Sequence, residues 1–223
     1  YEMLRSLVGS EMCIRDRGNT CDKAMDGNIG TYFDSDVDTN AWVGLDLGSN
    51  MRATVSRIGY APRSGYASRL YGGCFQLADN KDFIDPVTFY CIDVYDTEYY
   101  VVSHREVDIN EAYRYMRYLS SGTKSNCNIS EVEFWGYPIE LKPQTITFES
   151  IPNKSLTDSS FELSATASSG LPVSFSSSDP DIAKVEGNRV YLKNTGRCEI
   201  YADQEGDDEY AMAERVVRTL LIN

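Results

Sequence analysis

The stretch DKAMDGNIGTYFD, residues 22–34, decides how this chain is read. Its centre, Asp26-Gly27-Asn28, has turn chemistry. Asp and Asn side chains bond backbone two residues on, and Gly reaches positive φ without steric cost. Thr31 sets a hydroxyl close behind the turn. The same residues also suit a hard cation, since Ca²⁺ takes about six to eight oxygen ligands, many of them carbonyls of a tight loop. Asp26 and Thr31 side chains would supply part of that set. The carboxylate-rich spacing of a regulatory calcium sensor is missing. From the residues alone, plain turn and metal loop both stand.

Downstream the chain reads as short strands separated by Gly, Pro, Asn and Asp, at residues 41–47, 56–61, 75–78, 87–94, 99–102, 113–119 and 129–135. No helical period is sustained. This spacing predicts an all-β fold, an antiparallel sandwich or jelly roll. Trp42 and Trp135 fall inside strand patterns and are expected in the core. The character changes at residues 136–138, and Ile139-Glu140-Leu141-Lys142-Pro143 reads as a linker, since Pro stiffens a connection and cannot join a sheet interior. Residues 144–223 form a second strand-rich unit with about seven candidate strands, which fits an immunoglobulin-like (Ig-like) sandwich. The Ig disulfide is absent, because Cys198 is the one cysteine there.

Upstream, residues 7–16 read LVGSEMCIRD. That string resembles the translation of a transposase adapter used in shotgun DNA libraries. Residues 1–17 are therefore read as an artefact and set aside from fold reasoning. On this reading the scar replaces the first strand, any signal peptide was lost with it, and the first domain runs over 18–138. Five cysteines remain outside the scar, with no CxxC pair, which argues against a zinc site. Their odd number and wide spread predict buried thiols rather than a disulfide framework, with one disulfide in the first domain left open.

Composition excludes several function classes. The 223 residues carry 34 acids against 21 Lys and Arg, a net charge of −13, and no basic stripe of the kind phosphate backbones need. Nucleic-acid binding is not expected, and an acidic surface suits neutral or cationic partners better than anionic ones. No run of about 18 apolar residues is present, so no transmembrane segment is expected. Sixteen tyrosines serve sheet surfaces and sugar contacts equally well. The single histidine, His104, is read as lying in a hairpin turn beside Arg105 and Glu106, without a Ser or Cys partner.

Four separated blocks, DKAMDGNIGTYFD (22–34), AWVGLDLG (41–48), VSRIGYAPR (55–63) and ISEVEFWGYP (129–138), resemble in order and spacing the discoidin, or F5/8 type C, domains, and most of all the family 32 carbohydrate-binding modules. The resemblance covers residues 18–138. It implies a galactose-binding-like jelly roll with a structural Ca²⁺ pinning the first loop to the last strand. Carried over by motif, Lys23 and Asn28 give carbonyls, Asp26 its carboxylate, Thr31 its hydroxyl and carbonyl, Ser130 its carbonyl and Glu131 its carboxylate. The resemblance also implies a sugar site in variable loops at one tip, here 34–40, 62–73 and 120–126. Tyr66 and Tyr71 are expected as aromatic platforms, Arg63 and Arg69 as donors to sugar hydroxyls, and Asp36 and Asn40 as neighbouring contacts.

An enzyme needs a placed acid/base pair or an activated nucleophile. The paired carboxylates, such as Asp207-Asp208, fall in turn-like stretches, and no nucleophile elbow, zinc motif or phosphate loop occurs. The second domain resembles bacterial Ig-like repeats of surface and secreted proteins, which act as spacers. The expectation is a non-catalytic module that binds a glycan or polysaccharide, secreted or at the cell surface, within a larger bacterial protein whose other domains could include a glycoside hydrolase or peptidase. The alternative is an adhesion module for a protein or membrane surface.

Overall fold

The structure is a computed structural model that describes residues 2–4, 10–13 through their backbone, 20–37, 39–93, 101–121 and 126–223. The chain is all-β, with about half of it in strands and, among the described residues, no helix beyond short 3-10 turns. It divides into two compact units, Tyr1–Glu140 and Leu141–Asn223.

The first unit contains β1 (Glu2–Met3), β2 (Ser10–Cys13), β3 (Trp42–Asp46), β4 (Met51–Pro62), β5 (Cys74–Ala78), β6 (Val87–Cys91), β7 (Ser103–Tyr113), β8 (Tyr115–Leu119) and β9 (Ile129–Glu140). They form two antiparallel sheets, ordered β1-β9-β4-β7 and β2-β3-β8-β5-β6. Side chains alternate along each strand, so one set from each sheet meets in a common core. Val55, Ile58 and Tyr60 come from β4, Val132 and Phe134 from β9, Val43 and Leu45 from β3, and Met116 and Tyr118 from β8. Phe75 of β5 sits among the rings of Tyr60, Tyr90, Tyr118 and Phe134, at centroid distances of 5.9, 6.1, 5.4 and 5.8 Å. Aromatic pairs at such tilted geometries add to simple burial.

Several expectations are corrected here. Both tryptophans are half-buried on the outer faces, because alternation turns Trp42 away from buried Val43 and Leu45, and Trp135 away from Phe134. Trp42 packs on Phe83, and Trp135 donates its indole N–H to Glu133. His104 lies in β7 rather than a turn, paired with Gly59, and its Nε2 is 2.9 Å from Glu133 Oε2. Cys74 and Cys91 form a disulfide across β5 and β6, the one disulfide left open for the first domain, while Cys127 and Cys198 are buried thiols. Their facing registers decide the pairing, which spacing along the chain cannot reveal. Residues 139 and 140 continue β9, paired with Arg52 and Met51, rather than opening a linker. The segment 1–17 supplies β1 on β9, β2 on β3, and the fully buried Leu4. Sheet edges present unpaired backbone groups, and such pairing is open to almost any sequence without Pro. Residues 99 and 100 of one expected strand lie outside the described residues.

The second unit holds β10 (Ile146–Phe148), β11 (Ser160–Glu162), β12 (Ala165–Ala167), β13 (Ser174–Ser177), β14 (Ala183–Glu186), β15 (Arg189–Leu192), β16 (Gly196–Asp203) and β17 (Val216–Ile222). The pairings are β10-β12, β11-β15-β14 and β13-β16-β17. Cys198, Ile200 and Ala202 of β16 alternate with more exposed neighbours and join Phe148, Val190, Leu192 and Leu220 in a core of this unit's own.

Candidate functional site

The start of β9 organises one end of the first unit. Ile129 pairs with Pro62, the last residue of β4, and bridges Phe33 on its other side. Tyr32 and Arg63 each adjoin a partner of Ile129, which brings two distant loops together. The Arg63 guanidinium lies 3.8 Å from the centroid of the Tyr32 ring and 4.7 Å from that of Tyr66, and it reaches Asp34 Oδ2 at 3.5 Å. Arg69, in a single 3-10 turn at Ala67–Leu70, lies 4.3 Å from the same Tyr66 ring. Gly65 takes φ +82, a backbone that lets the chain reverse between Arg63 and Tyr66. The loop is fixed below by Tyr118, whose buried hydroxyl donates to Leu70 O at 3.5 Å. Burial pushes the Tyr118 hydroxyl pKa well above its ordinary value.

Arg63, Tyr66 and Arg69 are thus brought together. Tyr66 differs from the bare platform expected of it, for two guanidiniums already lie against its ring. Tyr71 is 45% exposed, and Asp36 and Asn40 are exposed on the neighbouring loop. Residue 38 and residues 122–125 of the expected loops lie outside the described residues. Sequence reasoning missed Tyr32 and Asp34. Both end the quoted 22–34 stretch, whose polar residues drew the reading toward a metal alone.

The metal-loop residues also converge. The Thr31 hydroxyl lies 2.7 Å from Asn28 O, 2.9 and 3.0 Å from the two Asp26 carboxylate oxygens, and 3.4 Å from Lys23 O. One hydroxyl carries one proton, so it cannot satisfy four acceptors. Glu131 is fully buried on β9 and accepts from the Gly27 N–H at 3.0 Å, while Gly27 holds φ +77. Ser130 is buried between Ile129, which pairs with Phe33, and Glu131. Acceptor oxygens in excess of donors form a set that a hard cation fits. Among the described residues no three His, Cys, Asp or Glu side chains gather, and most of this set is carbonyl and hydroxyl. At the loop's outer edge the Lys23 ammonium is 3.0 Å from Asp22 and 3.8 Å from Asp26. The Thr20 hydroxyl and then Lys23 hold the Asp22 carboxyl below the usual range, and Asp22 raises Lys23.

A solved structure of a family 62 carbohydrate-binding module, from Clostridium thermocellum Xyl5A, is 37% identical to this chain, with a TM-score of 0.57 over 62% of this chain and 99% of that one. The chain belongs to family 62 of the carbohydrate-binding modules. The family 62 match replaces the family 32 assignment drawn from motifs. A family 32 module of Clostridium perfringens NanJ, solved with galactose, is 16% identical with a TM-score of 0.48, covering 60% of this chain and 97% of that one. A Streptococcus pneumoniae fucose-binding module is 15% identical with a TM-score of 0.48, covering 61% and 99%. No family model matches the chain, and no curated protein does. Family 62 membership makes this a carbohydrate-binding chain. Among the described residues, no helix is long and apolar enough to cross a membrane.

Proposed function

We propose that this chain is a non-catalytic glycan-targeting module of a larger secreted or surface bacterial protein, with its sugar site at the loop tip around Arg63. The observation that carries this reading is the Arg63 stack. Two tyrosine rings and a carboxylate hold the guanidinium plane in one orientation. A preorganised donor loses little entropy when a sugar hydroxyl arrives. Arg69 extends the fan of donors, Tyr71 offers an exposed ring to a sugar's C–H patch, and Asp36 and Asn40 flank the site.

The 22–34 loop holds a structural Ca²⁺ through Lys23, Asp26, Asn28, Thr31, Ser130 and Glu131. The ion would neutralise converging oxygens and tie the loop to β9; no ligand is left over for chemistry. The second unit is an Ig-like spacer, as its hairpin-rich sheets and separate core suggest.

A glycan-array screen of the calcium-loaded chain tests this reading, followed by titration of the best hit. Binding to a defined glycan that Arg63→Ala abolishes without unfolding the protein supports it. A folded, calcium-loaded protein that binds no glycan would sink it and bring protein adhesion forward.

A further inference from the structure

Asp26-Gly27 is the one Asp-Gly pair in the chain, and Asn-Gly does not occur. Asp before Gly is open to self-modification, because no side chain shields the Gly amide nitrogen and its backbone moves freely. That nitrogen can attack Cγ of the preceding Asp. A C–N bond forms as the protonated carboxyl's C–O bond breaks, and the amide hydrogen leaves with the carboxyl OH as water. Water then reopens the succinimide ring. Opening at Cγ returns Asp, and opening at the backbone carbonyl leaves isoaspartate, with one methylene more in the main chain. The sequence of steps is redox-neutral and leaves the mass unchanged.

Both reacting groups are tied to other partners in the closed loop. Asp26 and Gly27 are exposed, so water reaches them. The Gly27 N–H donates to the buried Glu131 carboxylate of β9, at 3.0 and 3.3 Å from its two oxygens. The Asp26 carboxylate accepts the Asn28 N–H at 2.9 Å, and the Thr31 hydroxyl lies 2.9 and 3.0 Å from its two oxygens. Attack needs the nitrogen and Cγ aligned with each other, and these bonds hold each of them to something else. A reaction confined to the open loop runs in proportion to the open population.

We infer that Asp26-Gly27 is a self-modification site, which converts to isoaspartate when the 22–34 loop opens and stays intact while the loop is closed. Control of that opening by calcium rests on the metal reading above; the site itself does not. A loop that binds an ion only when closed has its open population lowered by the factor 1 + [L]/Kd. The added methylene shifts the Asp26 carboxylate away from Thr31 and Asn28. A converted loop therefore does not close again, and its loss of the ion is permanent.

The test is mass-spectrometric quantitation of isoaspartate at residue 26 during incubation at neutral pH and body temperature. The samples are the full chain with saturating calcium, the full chain with chelator, and a synthetic peptide of residues 22–34 as the unstructured reference. The calcium-loaded chain should convert about ten-fold or more slowly than the peptide, and chelation should close most of that gap. Thr31→Val removes the hydroxyl that holds Asp26 and should speed conversion with or without the ion, whereas Thr31→Ser should stay near the parent chain. Conversion of the calcium-loaded chain at the peptide's rate would overturn the inference. So would a chelated chain and a Thr31→Val chain that both stay intact while the peptide converts. Absence of calcium binding by calorimetry would count against the metal reading alone, and Thr31→Val would then decide the inference.

Discussion

At the scale of single residues, the proposed sugar site depends on how one guanidinium is held. Lysine keeps the charge of Arg63 but lacks the plane that lies against Tyr32 and Tyr66. Arg63→Lys should therefore weaken glycan binding roughly ten-fold or more, measured by titration, while the melting temperature barely moves. Tyr32→Ala should weaken binding too, through the position of Arg63. Restoration by Tyr32→Phe would identify the ring rather than the hydroxyl as the cause. A second residue makes a pH statement. The Tyr113 hydroxyl donates to Glu111 at 2.6 Å, and chiefly for that reason its pKa is pushed up to about 12. Because the folded pKa lies above the ordinary tyrosine value of about 10, the bond's stabilisation is fully present below that pH and is lost as pH rises through about 12. Absorbance titration should show Tyr113 among the late-ionising tyrosines, with Tyr115 and Tyr118, and Glu111→Phe should leave one tyrosine fewer in that late group. Residue types of this kind were legible in the sequence, since Arg63, Tyr66 and Arg69 lie in one loop. Tyr32 and Asp34 were not, because only the pairing of Phe33 and Pro62 with Ile129 brings them alongside.

At the scale of elements, the loop proposed to bind glycan is clamped at its C-terminal end. Gly72 and Gly73 exchange backbone bonds with Ile92 at 2.8 and 2.9 Å, next to the Cys74–Cys91 bridge. The bridge closes a loop of sequence separation 17, and its removal should cost about 3 kcal/mol on chain-entropy grounds. A Cys74→Ser, Cys91→Ser double variant should accordingly melt lower, on the order of 10 °C in a unit of this size. At Gly73 an added Cβ would stand 2.1 Å from the Tyr118 hydroxyl, so Gly73→Ala forces the loop off its base. That change should lower both stability and glycan affinity, whereas Gly65→Ala meets no atom within 4 Å and strains the backbone alone. The strands that sequence reading placed well carry apolar alternation on turn-bounded runs, such as β16 and β17. β7 was missed because Ser103 and Arg105 occupy the half-buried face that Val107 and Ile109 continue, so the apolar alternation covers only two positions. Its register against β4 also shifts twice, which breaks the period that would announce it.

At the scale of the whole chain, the all-β class and the change of character near residue 140 could be read from turn spacing and Pro placement. The contribution of the N-terminal segment to both sheets could not, because edge pairing depends on backbone rather than side chains. The two units bury separate cores, one centred on Phe75 and one on Ile200 and Leu220. A unit with its own core can unfold on its own. Residues 141–223 expressed alone should therefore give a cooperative melt, and differential scanning calorimetry of the full chain should resolve two transitions. All the oxygens proposed to hold Ca²⁺ belong to the first unit. A ligand that binds one folded unit stabilises that unit alone, by RT ln(1 + [L]/Kd). Chelation should thus lower only the first unit's transition and leave the isolated second unit untouched. Tyr32 follows Thr31 directly, so the same chelation should weaken glycan binding as the loop loosens. A single transition that moves as a whole on chelation would mean the units melt together, and the spacer reading of the second would have to be given up.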